Sequence, residues 1–353
     1  MSHVQEKKRM AWGNNVPMGS EQIQKTSTSL GSHQFALQVL CLAGVLLPSS
    51  LASAEPSSLP PEIGHNYAEL ETPRMTALGG AMRATANSLS ALYSNPANLG
   101  AAQLYHVGAF AQVYPEANRQ SYGGAVVDSL ISSTGLSGGL GGVWTLQDPD
   151  GIRREWIDMR FGMSMPLGEI FLLGLAGKYI TVQQNGTGPL GYSEASGGLP
   201  NTNIIQTIAF DAGATLRPVP EFTLSITGTN LGSSDTSLVP VSGGVGMGLA
   251  TEDFSLSADA SLESSTYQET TIRVNGGGEI LVADRVAVRA GYRYEQFPNT
   301  HALSGGLGYA DQKFGLDVSM RRGLGDTPYT AIVFGFTVHI ESMGLGPSSP
   351  SSY

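Results

Sequence analysis

From about Leu104 to Ile340 apolar and polar residues alternate with period two, interrupted at regular intervals by turn-forming residues. Ile157, Met159, Phe161, Met163 and Met165 share one face of such a run, and Asp158, Arg160, Gly162 and Ser164 the other. The same division holds over Phe254 to Leu262, Val286 to Glu295, Phe314 to Arg321 and Thr223 to Thr229. This spacing predicts strands, because successive side chains on a strand point to opposite faces. The runs number about fourteen and last about nine to twelve residues. Their connections alternate in length. Short ones such as Pro166 to Glu169, Val219 to Glu221, Thr251 to Asp253, Ala283-Asp284 and Asp311-Gln312 alternate with long ones. The long ones are Gln147 to Glu155, Asn185 to Asn203, Gly232 to Pro240, Glu263 to Glu269 and Gly323 to Pro328.

A soluble sandwich shows the same period, with its apolar face inward. Strand length separates the two cases. Soluble strands cluster near roughly five or six residues, whereas a tilted strand of about 9–11 spans the hydrocarbon layer. Short turns at one end and longer loops at the other are the outer-membrane pattern, and closure removes the unpaired edges that lipid does not tolerate. The sequence therefore predicts an all-β transmembrane antiparallel barrel of about fourteen strands over residues 103–341. Its polar face is then the lumen. That face carries Asp158, Arg160, Lys178, Asp211, Arg217, Asp259, Arg273, Glu279, Arg289, Arg293, Asp317 and Arg321. Charges of both signs facing each other predict a bracing network; a sharper alternative is that Arg273, Arg289 and Arg293 contact an anionic head group of a ligand.

Composition agrees with an exported barrel. Charged residues are 14 %, hydrophobic residues 41 %, and glycine reaches 46 of 353; ordinary soluble domains hold roughly 25 % charged residues. Phe35 to Leu47 is an apolar run too short to span a bilayer as a helix, and Ala52-Ser53-Ala54 supplies small residues for cleavage. Residues 1–54 are read as a signal peptide, with translation starting at Met1, Met10 or Met18. Cleavage removes four of 19 basic and two of 29 acidic residues, leaving a net charge of about −12, a poor match to nucleic acid. Cys41 falls within the signal, so the mature chain has no disulfide or cysteine metal site. Gln38-Val39-Leu40 before it lack the small residue of a lipoprotein site, which argues against a lipid anchor.

Residues 55–102 do not alternate. A Pro/Ser-rich stretch leads to Gly79-Gly80-Ala81, then to helical spacing over Met82 to Tyr93 with Met82, Ala86, Leu89 and Tyr93 on one face, then to Asn95-Pro96-Ala97-Asn98-Leu99. This stretch resembles the N-terminal hatch of FadL-type long-chain fatty acid transporters and PorV-like barrels. Those open with a Gly-Gly-Ala stretch, an Ala-rich helix reading A-D-D-A-S-A-L-Y, and N-P-A-G-L. Here Asn87 and Ser88 stand for the acidic pair and Asn98 for the glycine. The resemblance implies fourteen strands and an N-terminal segment plugging the lumen, with Gly79, Gly80, Ala81, Leu92, Tyr93, Asn95, Pro96 and Ala97 as the hatch motif. It also implies a lateral opening for apolar molecules at a kinked third strand. The run with Gly138, Gly139, Gly141 and Gly142 takes that place, and its glycines either kink the wall or make room for the plug.

The function this implies is passive, hatch-gated diffusion of fatty-acid-like molecules across a bacterial outer membrane, with outer-membrane lipid and the barrel assembly machinery as partners. Phe334 to Ile340 has the form of the last strand which that machinery reads, followed by a Pro/Ser tail over 342–353. The alternative is a PorV-like scaffold that docks secreted or surface proteins; the longest loop, Asn185 to Asn203, offers only Leu190, Tyr192 and Leu199 for adhesion. Catalysis is not expected. His65, His106, His301 and His339 are scattered without metal spacing, no nucleophile motif occurs, and no cofactor is called for.

Overall fold

A computed structural model describes residues 69–340, apart from 103–104, 131–134, 149–152, 186–201, 234–237, 266–269, 298 and 326–327. The signal peptide, the Pro/Ser-rich stretch, the C-terminal tail and nearly all of the longest loop lie outside the described residues.

An N-terminal segment carries α1 (Pro73–Ala77), α2 (Ser88–Ser94) and a 3-10 helix (Pro96–Ala101). Fourteen strands follow: β1 (Tyr105–Tyr114), β2 (Arg119–Asp128), β3 (Ser137–Gln147), β4 (Arg153–Leu167), β5 (Phe171–Asn185), β6 (Thr202–Val219) and β7 (Phe222–Leu231) form the first half. β8 (Ser242–Ala250), β9 (Phe254–Glu263), β10 (Thr271–Val282), β11 (Val286–Glu295), β12 (Thr300–Ala310), β13 (Phe314–Leu324) and β14 (Thr330–His339) complete it. Each strand pairs antiparallel with its sequence neighbours, and β14 closes on β1 from His106↔His339 to Val113↔Ile332. The sheet has no free edge.

The outer face settles which solvent it meets. Leu140, Phe161, Ile208, Ile226, Leu256, Leu303 and Phe334, from seven strands around the circumference, are each more than half exposed. The inward residues of these strands and of β13 between two of them are polar and buried: Asp158, Arg160, Asp211, Asp259, Ser319 and Arg321. A water-soluble protein places these the other way round, so the apolar band belongs against lipid. No helix among the described residues is long and apolar enough to cross a membrane; the strands do the crossing. The β10–β11 connection is tight because Ala283 and Asp284 both take positive φ (52° and 57°), the combination whose twist suits a two-residue hairpin. The predicted alternation of connections is inverted at the start and weak at β11–β12, which turns in the four residues 296–299 at the loop end. β1–β2 turns in four residues at the loop end, and the β2–β3 link, from Ser129 to Leu136, is the long one at the turn end.

Two sequence expectations need correction. The third strand is not kinked: β3 pairs with β2 from Asp128↔Gly138 to Arg119↔Gln147 and with β4 from Ser137↔Ser164 to Gln147↔Arg154 without a register shift. No gap opens in the wall at Gly138, Gly139, Gly141 or Gly142. The irregular part of the wall is β6. Its register shifts between Phe210 and Ala212 against β7, where Asn230 has φ 58° and turns its amide to Asp211 Oδ1 (2.9 Å). The second correction concerns the predicted helix over Met82 to Tyr93, which starts only at Ser88. Arg83 N–H donates to Asp259 Oδ2 (2.8 Å), and the Arg83 and Ala84 carbonyls accept from side-chain amides of Asn95 and Asn98. Those carbonyls are spent on tertiary partners, so the helix cannot propagate through them.

Candidate functional site: the plugged lumen

Residues 69–101 fill the lumen, and their local structure follows from sequence. Thr72 caps α1, its Oγ1 accepting from Met75 N, and Pro73 occupies the first turn, where no N–H is needed. The helix ends in a Schellman motif. Gly80 N–H donates to Met75 O (2.8 Å) and Gly79 N–H to Thr76 O (3.2 Å), with φ of 90° and 66° that side chains resist. That accounts for the Gly-Gly pair. It also lets backbone meet wall: a Cβ added to Gly291 of β11 would lie 2.3 Å from Gly79 N. Ala81, next in the motif, is fully buried.

The Asn-Pro-Ala motif is the second clamp. Asn95 Oδ1 accepts from Ala97 N–H (3.1 Å) to cap the 3-10 helix that Pro96 begins. Asn95 Nδ2 donates to Arg83 O (2.7 Å) and to Thr215 Oγ1 of β6 (3.1 Å), which ties plug to barrel. Asn98, the departure from the hatch consensus, donates to Arg83 O (3.0 Å) and Ala84 O (3.3 Å), a role glycine has no side chain to play. Ala97 sits so close to β5 that a Cβ on Gly174 would lie 2.1 Å from its nitrogen.

The β9–β13 side of the lumen holds the plug by charge. Glu71 is bonded to Arg293 and Arg321, and Glu69 Oε1 to Arg273 Nη1 (2.7 Å). Arg74 Nη2 meets Glu279 Oε1 (2.8 Å), and Arg83 Nη1 meets Asp259 Oδ2 (3.5 Å). Burial raises the Glu71 carboxyl pKa, but the two guanidiniums outweigh it and hold the group at about 2, well below the usual 4.5. Glu69 is likewise held far below the carboxylate range, burial again being outweighed by Arg273 and Arg293. The three arginines singled out from sequence thus have internal partners. Arg273 also meets Glu295 (2.6 Å), Arg289 lies between Glu279 and Asp317 (2.5 Å each), and Arg293 Nε donates to Gly79 O (3.2 Å). Glu69, Glu71 and Arg83 were not singled out from sequence. The available signal was two carboxylates immediately before Pro73 in a chain with few charges.

The β1–β4 side holds the plug by apolar contact. Leu89, Leu92, Tyr93 and Leu99 pack against Phe110, Ala125, Val127 and Val143. The β3 glycines serve this packing: a Cβ on Gly139 would lie 3.3 Å from Leu99 and 3.6 Å from Leu92, and one on Gly141 would lie 2.7 Å from the Tyr93 hydroxyl. Gly138 and Gly142 face outward. Tyr93 donates to Gly124 O (3.0 Å), meets Phe110 edge-on, and lies 5.2 Å beneath the Arg160 guanidinium. Burial raises the Tyr93 hydroxyl pKa. Arg160 in turn joins Asp158 (2.7 Å) and Asp211 (3.6 Å), and Lys178 joins Asp211 (2.7 Å), so the predicted bracing network exists.

Two cavities flank the plug. On the loop side a polar one of about 90 Å3 is lined by Tyr93, Ser94, Arg83 and Lys178. On the turn side a vestibule of about 470 Å3 is lined by Leu89, Ala109, Phe254, Leu281 and Ala287, with Arg289 among its polar groups.

Fold and site together define a transmembrane β-barrel of fourteen strands plugged by its own N-terminal segment. No protein-family model matches the chain, and no curated protein matches it. Solved structures do. A monoaromatic hydrocarbon channel, CymD, aligns with a TM-score of 0.62 at 15 % identity, over 78 % of this chain and 98 % of that one. The toluene transporter TbuX of Ralstonia pickettii aligns at 0.57 and 13 % identity, over 77 % and 99 %. A FadL homologue of Pseudomonas aeruginosa aligns at 0.58 and 14 % identity, over 76 % and 98 %. The chain has the fold of these FadL-type barrels, as the hatch motif led one to expect.

Proposed function

We propose that the protein is a bacterial outer-membrane transport protein through which hydrophobic small molecules diffuse passively, with no chemical step. The observation that carries this reading is the plug itself. A lumen closed by a short segment, one side of which meets the wall mainly through the apolar side chains Leu89, Leu92, Tyr93 and Leu99, suits a gated conduit for apolar molecules better than a water-filled pore. The fold, shared with channels described as carrying toluene and monoaromatic hydrocarbons, supports the same class of ligand. Lipid around the apolar band and the machinery that inserts barrels are the partners this reading requires. The scaffold alternative rests on outer loops and a tail outside the described residues, and no observation favours it.

The test is uptake of radiolabelled toluene and oleate by cells stripped of their own channels for apolar compounds. Cells carrying this protein should accumulate one of the labels faster than cells carrying the empty vector. Equal rates for both labels, with the barrel present in the outer membrane, would refute the proposal.

A further inference from the structure

The regular pairing of β3 removes the lateral exit expected there, and leaves open where a molecule passes the plug. The three parts of the plug are held by different physics. α1 and the turn after it are fixed by the ion pairs of Glu71 and Arg74 and by backbone contact of Leu78 and Gly79 with Gly277 and Gly291. The 3-10 helix is fixed by the Asn95–Thr215 bond and by backbone contact with Gly174. Between them α2 has no ion pair with the wall. Its described bonds to the barrel are Ser88 Oγ to His106 Nδ1 (3.2 Å) and Tyr93 to Gly124 O (3.0 Å). Everything else it offers is Leu89, Leu92 and Tyr93 seated over wall glycines: Gly108 beneath Leu89, Gly162 and Gly139 beneath Leu92, Gly141 beneath Tyr93.

These positions connect the two cavities. Tyr93 lines the cavity on the loop side, and Leu89 lines the vestibule on the turn side. Leu92 lies between them in the same apolar cluster. A wall without side chains beneath three large apolar ones becomes an apolar slot once those side chains withdraw. Withdrawal of Tyr93 uncovers the buried Arg160 guanidinium, but Arg160 keeps its carboxylate partners Asp158 and Asp211, which belong to the wall and stay in place. Moving α1 instead would strip the Glu71 carboxylate from the buried Arg293 and Arg321 and leave both charges without it.

We propose that an apolar molecule passes the plug along the seam between α2 and the inner face of β1–β4, with α2 as the moving element and the turn-side vestibule as the exit. This rests on the transport reading above. The route is axial and ends outside the lipid rather than within it. It favours uncharged ligands, since the charged groups around its loop-side entrance, Arg83, Arg160 and Lys178 among them, already hold carboxylate partners in the barrel.

The experiment compares two pairs of cysteines in a chain whose only native cysteine is Cys41. One double variant, Leu89→Cys with Gly108→Cys, ties α2 to β1, where a Cβ on Gly108 would lie 3.1 Å from Leu89 Cδ2. The other, Ala77→Cys with Gly306→Cys, ties α1 to β12, where the two Cβ atoms would lie 2.7 Å apart before relaxation. Disulfide formation is read by mass spectrometry, and toluene and oleate uptake is measured with and without dithiothreitol, so that each reduced protein is its own folded control. The expected result is that oxidation of the α2 pair lowers uptake to the empty-vector level and reduction restores it, while the α1 pair transports in both states. Uptake that continues through the oxidised α2 pair overturns the proposed route and leaves the transport reading intact. Absence of uptake by the parent protein refutes the transport reading first.

Discussion

Replacing Glu71 by Gln keeps the shape of the side chain and removes its charge. The Glu71 side chain is 5 % exposed, and its partners Arg293 and Arg321 are 8 % and 3 % exposed, so water cannot substitute for the lost carboxylate. Two routes give the magnitude. Breaking a buried pair by neutralising one partner costs about 3–5 kcal/mol. Independently, a carboxyl held at about 2 rather than 4.5 has its ionised form stabilised by roughly 3 kcal/mol in the docked plug. The sign follows from the direction. A depressed carboxyl contributes fully above its ordinary value, and the contribution is lost as pH falls from about 4.5 toward about 2. The barrel itself is held by its strand ladders, so the loss falls on docking of the plug. Hydrogen exchange of the backbone amides of α1 and the Gly79-Gly80 turn, in detergent at neutral pH, should accelerate roughly 100-fold in Glu71→Gln. The parent should show the same gain on acidification through that window, after correction for intrinsic exchange, and the variant should not. Exchange within about 0.5 kcal/mol of the parent would refute the assignment of Glu71 as the principal electrostatic anchor.

Other expectations are equally direct. Gly174→Ala would place a Cβ 2.1 Å from Ala97 N and should prevent seating of the plug, whereas Gly276→Ala, with nothing within 4 Å, should be tolerated; protease sensitivity of the N-terminal segment in isolated membranes separates them. Asn95→Ala removes two donated bonds and a cap at a fully buried site and should loosen the plug by about 1–3 kcal/mol, seen as faster exchange of Ala97 N–H. Ile226→Arg, midway along the lipid-facing side of β7, should destabilise the folded barrel by about 2–4 kcal/mol, measured by folding into liposomes under denaturant titration.

The barrel was legible in the chain because alternation is a local property. Ile157 to Met165 or Phe254 to Leu262 needs only its own residues to show which face is apolar. The length of such runs separates a lipid-facing sheet from a soluble one. The closing strand and the hatch motif were legible for the same reason, since caps, turns and Gly-Gly pairs act within a few residues. The helix over Met82 to Tyr93 was misjudged because its first residues obey distant partners. The side-chain amides of Asn95 and Asn98 take the Arg83 and Ala84 carbonyls that the helix would have used.

What the tertiary structure alone decided is which charges and glycines meet. Periodicity placed Arg273, Arg289 and Arg293 in the lumen, but their carboxylate partners come from positions up to 222 residues away. Composition could not say whether those guanidiniums would face a ligand or the plug. The four β3 glycines read equally as a kink or as clearance. The answer depended on Leu92, Tyr93 and Leu99 arriving from another part of the chain to fill the space above Gly139 and Gly141. A strand's face is written in its own two-residue period; what presses on that face is set by closure of the barrel around the plug.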